Sequence, residues 1–176
     1  QVVTRNPYTG AGIPFTAGAF ENAGLHMTST LRNLIGYLRG QTENEQRYGG
    51  AYRDRLWLNG HESAKLGDFI GSQPYLVGVP NTYFVPDEGD TSYATFRTTH
   101  SARIPMLYVG GNDGMLHGFD AATGMEKLGY VPGLLLEQLP ELADPDYNHR
   151  YFVDGSPTVL DARHGDTGTG AWFSLL

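Results

Sequence analysis

The sequence predicts a mainly β fold, assembled from many short strands behind a short helical and loop segment. Three observations carry that expectation. From Leu66 onward, short apolar runs alternate with turn residues at the close spacing of a sandwich, barrel or propeller. Asp113-Gly114 separates two of those runs, a strong signal for a tight hairpin in which both turn residues take positive φ. The 176 residues include 24 Gly and 10 Pro but no Cys. Turns are therefore plentiful, whereas disulfides, CxxC redox motifs and thiolate zinc sites are excluded.

Residues 1–24 are rich in Gly, Ala, Thr and Pro without periodicity, and read as loop or extended chain. Residues 28–39 form the amphipathic helix of the sequence. Met27, Leu31, Leu34, Ile35 and Leu38 make one apolar stripe, Thr28, Ser29 or Thr30 can cap its start, and Gly40 can end it. Residues 41–65 are polar, with Arg47, Arg53, Asp54 and Arg55, and read as a solvated connector. Charge changes sign next: residues 1–65 hold seven basic and five acidic groups, residues 66–176 five basic and fourteen acidic. The expected division is a connector with one helix over 1–65 and a β region over 66–176.

Within that region, Tyr75 to Val79 reads as a buried strand bracketed by Pro74 and Pro80, and Asn81 to Asp90 as a loop. Tyr93 to Thr98 reads as a short strand. Met106 to Val109, Met115 to Phe119 and Lys127 to Val131 are the strongest strand signals, and Leu134 to Leu139 fits one or two helical turns. Arg150 to Val153, Thr158 to Leu160 and Trp172 to Leu176 complete the strand set. Because the chain starts at Gln1 and stops on an apolar strand at Leu176, it reads as a piece excised from a larger fold.

Composition narrows the function classes. A net charge of -7 and a pI near 5.2 argue against nucleic-acid binding by phosphate neutralisation. No run of 18 apolar residues is present to make a transmembrane helix. Asp144-Pro145-Asp146-Tyr147-Asn148 copies the start of an EF-hand loop, but His149 and Gly155 stand where that loop needs Gly and Glu, so a Pro-containing turn is expected. Asp87, Glu88 and Asp90 read as a solvated acidic loop. His26, His61, His100, His117, His149 and His164 show no i, i+4 zinc spacing. His117 reads as a half-buried strand residue, and His149-Arg150 as a local ion-pair partner of Asp154. No GxSxG elbow or Cys nucleophile exists, and Gly110 to Gly114 lacks the Lys-Ser/Thr of a phosphate loop. Neither a catalytic nor a metal residue is assigned.

Residues 106–131, MLYVGGNDGMLHGFDAATGMEKLGYV, carry the most information. Gly110 and Gly111 permit close backbone approach beside the Asp113-Gly114 turn. Asp120 can accept amide hydrogens across Ala121-Ala122-Thr123-Gly124, Thr123 adds a hydroxyl, and Gly124 supplies a left-handed residue. Three antiparallel strands so linked make most of a propeller blade, which cannot bury both faces alone. Asn112, Asp113, Gly114, Asp120, Thr123 and Gly124 resemble the blade motif of quinoprotein-type propellers, with Leu128 where those propellers often carry Trp.

The flanks narrow the resemblance. Leu34 to Gly40 (LIGYLRG), Tyr52 to Arg55 (YRDR), Leu66 to Ile70 (LGDFI), Ser72 to Pro80 (SQPYLVGVP), Tyr130-Val131-Pro132 and His149 to Thr158 (HRYFVDGSPT) occur in that order. Together they resemble the C-terminal β-propeller domain of the PilY/PilC proteins of type IV pili, over roughly residues 28–176. The resemblance implies an incomplete quinoprotein-like β-propeller of about one to two blades. It further implies a non-enzymatic pilus assembly factor and tip-associated adhesin, exported to the bacterial cell surface, pilus tip or outer membrane. Its partners would be pilin, minor pilins and a host or abiotic surface. The family's calcium loop lies in a later blade, so no cofactor is expected on this chain. The blade motif alone leaves two alternatives, a pyrroloquinoline-quinone-dependent dehydrogenase and an outer-membrane assembly scaffold. Open strand edges make the isolated chain an expected candidate for marginal stability or self-association.

Overall fold

A computed structural model describes residues 1–55, 64–81, 89–164 and 171–176. The fold is mainly β, and its centre is an antiparallel meander. β3 (Tyr75–Val77), β4 (Met106–Gly110), β5 (Leu116–Asp120) and β6 (Glu126–Val131) pair in sequence order, with Val109 opposite His117 and His117 opposite Gly129. A register shift at Gly118/Phe119 marks a bulge between β5 and β6. This four-stranded meander is the partial propeller expected from the sequence.

The sheet also takes in the chain's start. β1 (Val2–Arg5) runs parallel to β6, with Val3 opposite Tyr130, and β2 (Gly12–Pro14) folds back antiparallel on β1. The strand order is thus β2-β1-β6-β5-β4-β3. Thr4 is buried, and its hydroxyl donates to the Val131 carbonyl at 2.8 Å. Thr16 then caps α1 (Ala17–Asn22) by accepting the Ala19 amide. The loop reading of residues 1–24 is therefore corrected. These strands are three and four residues long, too short for a visible period, and their pairing partner is remote in sequence.

α2 (Ser29–Leu38) forms where the apolar stripe places it. Thr28 is the cap, its hydroxyl accepting the Leu31 amide at 3.2 Å, and Gly40 leaves the helix at φ 96°. α1, α2 and a 3₁₀ turn at Leu139–Ala143 cover one sheet face. Phe15, Phe20, Ile35, Met115, Val131, Leu139 and Leu142 form the shared core.

Other expectations change. Tyr93 to Thr98 is not a strand but lies in α3 (Ser92–Thr99), because Tyr93 and Phe96, three apart, bury one helical face against Trp172. β7 (Leu160–His164) and β8 (Ala171–Leu175) pair as a separate antiparallel sheet. The Trp172 indole donates to the Ser92 hydroxyl at 2.8 Å, and the Tyr93 hydroxyl donates to Asp161 at 2.7 Å. Burial and that hydrogen bond push the Tyr93 phenol up to about 12. Arg150 to Val153 has no strand structure, and Thr158-Val159 precede β7. β3 is an edge strand, not a buried one, with Leu76 60% exposed.

The β5–β6 turn supports a direct check. Asp120 Oδ1 accepts the amides of Ala122 and Thr123 at 3.0 and 3.1 Å, Thr123 accepts from Met125 at 3.3 Å, and Gly124 has φ 70°. Nothing crowds an added Cβ at Gly124. A Gly124→Ala variant should therefore lose only the backbone cost of left-handed geometry, about 1–2 kcal/mol. Gly124→Asn should lose less, because Asn tolerates that region. Equal denaturant midpoints for both variants and the parent would refute the assignment.

Candidate functional site

The β4–β5 turn is not the two-residue hairpin with positive φ at both centres. Gly114 alone is left-handed there (φ 87°), and Asp113 is not. The Gly111 amide donates to the Met115 carbonyl at 2.8 Å, leaving Asn112-Asp113-Gly114 as a three-residue loop. A loop of that length closes with a single left-handed Gly and matches strand twist equally well. Its consequence is chemical: the Asp113 carboxylate turns back over the sheet instead of outward.

It meets His117. The imidazole is 2% exposed; its Nε2 lies 3.1 Å from both Asp113 oxygens and its Nδ1 lies 2.7 Å from Glu126 Oε1. Phe69 packs edge-on at 6.0 Å, and Phe119 stacks at 5.9 Å. His117 is thus fully buried, not half-buried. Burial alone lowers its pKa, but hydrogen bonds and charge from Asp113 and then Glu126 outweigh that and raise it. With both ring nitrogens engaged by carboxylates, the cluster is an ion-paired lock. Among the described residues, no group of three His, Asp or Glu side chains converges as a metal site.

The lock reaches into neighbouring chain. Asp113 Oδ2 accepts the Gly67 amide at 2.8 Å, and the Asp68 carbonyl accepts the Asn112 amide at 3.1 Å. Asn112 Oδ1 accepts the Phe152 amide at 3.1 Å, so one turn ties together residues 67–68 and 152. His149 pairs with Asp68 at 2.8 Å and Arg150 with Glu141, which corrects the expected pairing of both with Asp154. Asp154 instead accepts the Gly71 amide at 2.7 Å. Of the six blade-motif residues, Asn112, Asp113 and Gly114 build this turn. Asp120, Thr123 and Gly124 build the next one, at the other end of β5.

A second buried network lies in residues 41–55. Glu45 is fully buried, and Arg55 is 9% exposed. Arg55 donates to Glu45 Oε1 at 2.9 Å, to the Tyr37 carbonyl at 2.8 Å and to the Gln41 carbonyl at 2.6 Å, while its guanidinium sits 3.8 Å over the Tyr37 ring. Arg47 pairs with Glu45 Oε2 at 2.9 Å. Burial first, against the pull of Arg53 and Arg55, raises the Tyr37 pKa. The solvated reading therefore fails at Glu45 and Arg55, whereas Gln41, Glu43, Gln46 and Tyr48 are exposed. A polar composition concealed a closed ion pair that needs α2 beside it.

In the acidic loops, Asp87 and Glu88 lie outside the described residues, and Asp90 pairs with Arg163 at 2.5 Å. Asp144 to Asn148 forms the expected turn, with Asp144 Oδ1 accepting the Asp146 amide at 2.9 Å. Sequence reasoning missed Glu126, Gly67 and Asp68 as members of the turn cluster. The available signal was Gly111, where an added Cβ would meet Asp113, Phe69 and the His117 ring at 2.8, 3.1 and 3.2 Å.

Comparison with known proteins gives this geometry a family. The PilY1 beta-propeller domain family matches residues 66–176. A type IV pilus biogenesis factor PilY1 homolog of Xylella fastidiosa is 39% identical over 153 residues, covering 85% of this chain and 12% of its own length. Type IV pilus biogenesis factor PilY1 of Pseudomonas aeruginosa strain UCBPP-PA14 is 37% identical over 148 residues, 81% of this chain and 11% of the relative. A second Xylella homolog is 33% identical across 100% of this chain. The chain spans only about an eighth of these relatives. No solved structure matches it. The meander, its two turns and the match over 66–176 together place the chain in the PilY1 beta-propeller domain family.

Proposed function

We propose that this chain is part of the propeller of a type IV pilus assembly factor and tip-associated adhesin, a binding protein and not an enzyme. The observation that carries the reading is a coincidence of boundaries: the family match over 66–176 begins at the segment docked on the β4–β5 turn and contains the β3–β6 meander. The relatives' pilus biogenesis names support it. The buried ionisable groups support it too. His117, Asp113, Glu45 and Arg55 are engaged with one another and with backbone, an arrangement that fixes the shape of a surface.

In this reading the protein is exported to the bacterial surface, at the pilus tip or outer membrane, where it contacts pilin and minor pilins on one side and a host or abiotic surface on the other. No cofactor is placed on this chain; calcium belongs to a later blade. Deleting the parent gene is expected to abolish piliation, twitching and attachment, restored by the gene in trans. A deletion strain with unchanged pili, motility and attachment would remove the proposal.

A further inference from the structure

Residues 66–72 cross the β4–β5 turn without secondary structure. Of their apolar side chains, Leu66 and Ile70 are 46% and 58% exposed, and Phe69 packs edge-on against His117. Polar contacts hold this strap. Gly67 is bound by Asp113, the Asp68 carbonyl by the Asn112 amide, and Gly71 by Asp154, while Ser72 accepts the Gly110 amide at 2.8 Å. Two of these anchoring residues are themselves gripped by histidines from different parts of the fold. His117 of β5 holds Asp113, and His149 holds Asp68.

We propose that the strap is a pH-sensitive clasp: charged His117 holds Asp113 against it, and loss of that charge releases it. The chemistry is one of donor count. A charged imidazole has two N–H donors and serves Asp113 and Glu126 together; a neutral one has a single donor and must abandon one carboxylate. It then leaves two negative groups beside a buried ring without charge, the Asp113 side chain 18% and the Glu126 side chain 41% exposed. Asp113, freed from His117, loses its fixed orientation toward the Gly67 amide.

The groups facing His117 are Asp113 from the turn, Glu126 from β6, Phe69 from the strap and Phe119 from its own strand; the two carboxylates are the charges acting on it. Facing His149 are Asp68 and the Tyr151 ring at 5.2 Å, while Arg150 points to Glu141. The sign follows from His117. Burial opposes its charge, Asp113 and Glu126 overcome that, and the folded-state pKa stands above the ordinary 6.5. Such a group contributes stability that is fully present below 6.5 and is lost as pH rises through the folded-state value. The clasp closes on the acidic side and opens on the alkaline side. In the closed state the strap residues Leu66, Gly67 and Asp68, with Asn112, Asp113 and His149, line a cleft of about 270 Å³.

Hydrogen–deuterium exchange of the full-length protein from pH 5 to 9, corrected for the intrinsic pH dependence of exchange, tests this. Protection of the Gly67 and Asn112 amides is expected to fall as pH rises above about 6.5, by up to ten-fold per pH unit, the ceiling for loss of one proton. Amides of β6 serve as the reference. His117→Gln should flatten the pH dependence, whereas His149→Gln, which removes only the Asp68 pairing, should lower strap protection and leave the slope with pH in place. Strap protection that tracks β6 at every pH, or that keeps its full pH dependence in His117→Gln, overturns the proposal. Should His117→Gln fail to fold, the parent and His149→Gln profiles decide it.

Discussion

An Arg55→Ala variant is expected to lose about 3–5 kcal/mol of stability, the cost of breaking a buried pair and stranding the acceptors it served. Glu45 is fully buried, and Arg55 supplies it with a charge-assisted hydrogen bond while satisfying the carbonyls of Tyr37 and Gln41. Three acceptors at three directions match a planar guanidinium and not an ammonium. Arg55→Lys should therefore recover only a minor part of the loss. Arg47 on the other Glu45 oxygen softens the effect without replacing it, because its side chain reaches neither carbonyl by any bond described. The reading is a shift of the denaturant midpoint at constant m-value. A loss below about 1 kcal/mol would put the pair among ordinary surface ion pairs and refute its structural role.

Phe15→Ala should be comparably severe, at about 3–5 kcal/mol. Phe15 is 2% exposed and meets Phe20 edge-to-face at 5.7 Å. Its amide donates to the Val2 carbonyl at 2.9 Å, and its carbonyl accepts from Arg39 at 3.1 Å. Truncation opens a cavity between α1, α2 and the 3₁₀ turn at Leu139–Ala143. If residues 1–24 were the loop their composition implies, this substitution would be nearly silent. A midpoint within about 0.5 kcal/mol of the parent would restore the loop reading.

What the sequence made legible was local. β4, β5 and β6 announce themselves because each is an apolar run ended by a turn that its own residues close, such as Asp120 reaching two and three residues ahead. α2 is legible for the same reason, with cap, stripe and terminating Gly inside 13 residues. β1 has no such signature. Its conformation depends on β6, whose register decides that Thr4 meets Val131. Tyr93 to Thr98 misleads because aromatic and Thr residues favour strands, whereas the contact with Trp172 selects the helix. The turn cluster needed three-dimensional knowledge as well: Glu126 reaches His117 only across a bulged register, and Gly67 arrives from a segment with no periodicity.

The parallel pairing of β1 with β6 also sets the timing of assembly. Thr4 and Val131 are 127 positions apart, so at roughly 5–20 residues per second their meeting waits about 6–25 s after the first strand is synthesised. Until then Val2 to Arg5 has only the short local strand β2 beside it, and its other edge is open. Loop-closure entropy must be met before that contact yields any stabilisation, which makes the sheet slow to complete, whatever the speed of its central hairpins. β1 is thus made well before β6 and secured only after it, which makes this pairing the step most open to misassembly.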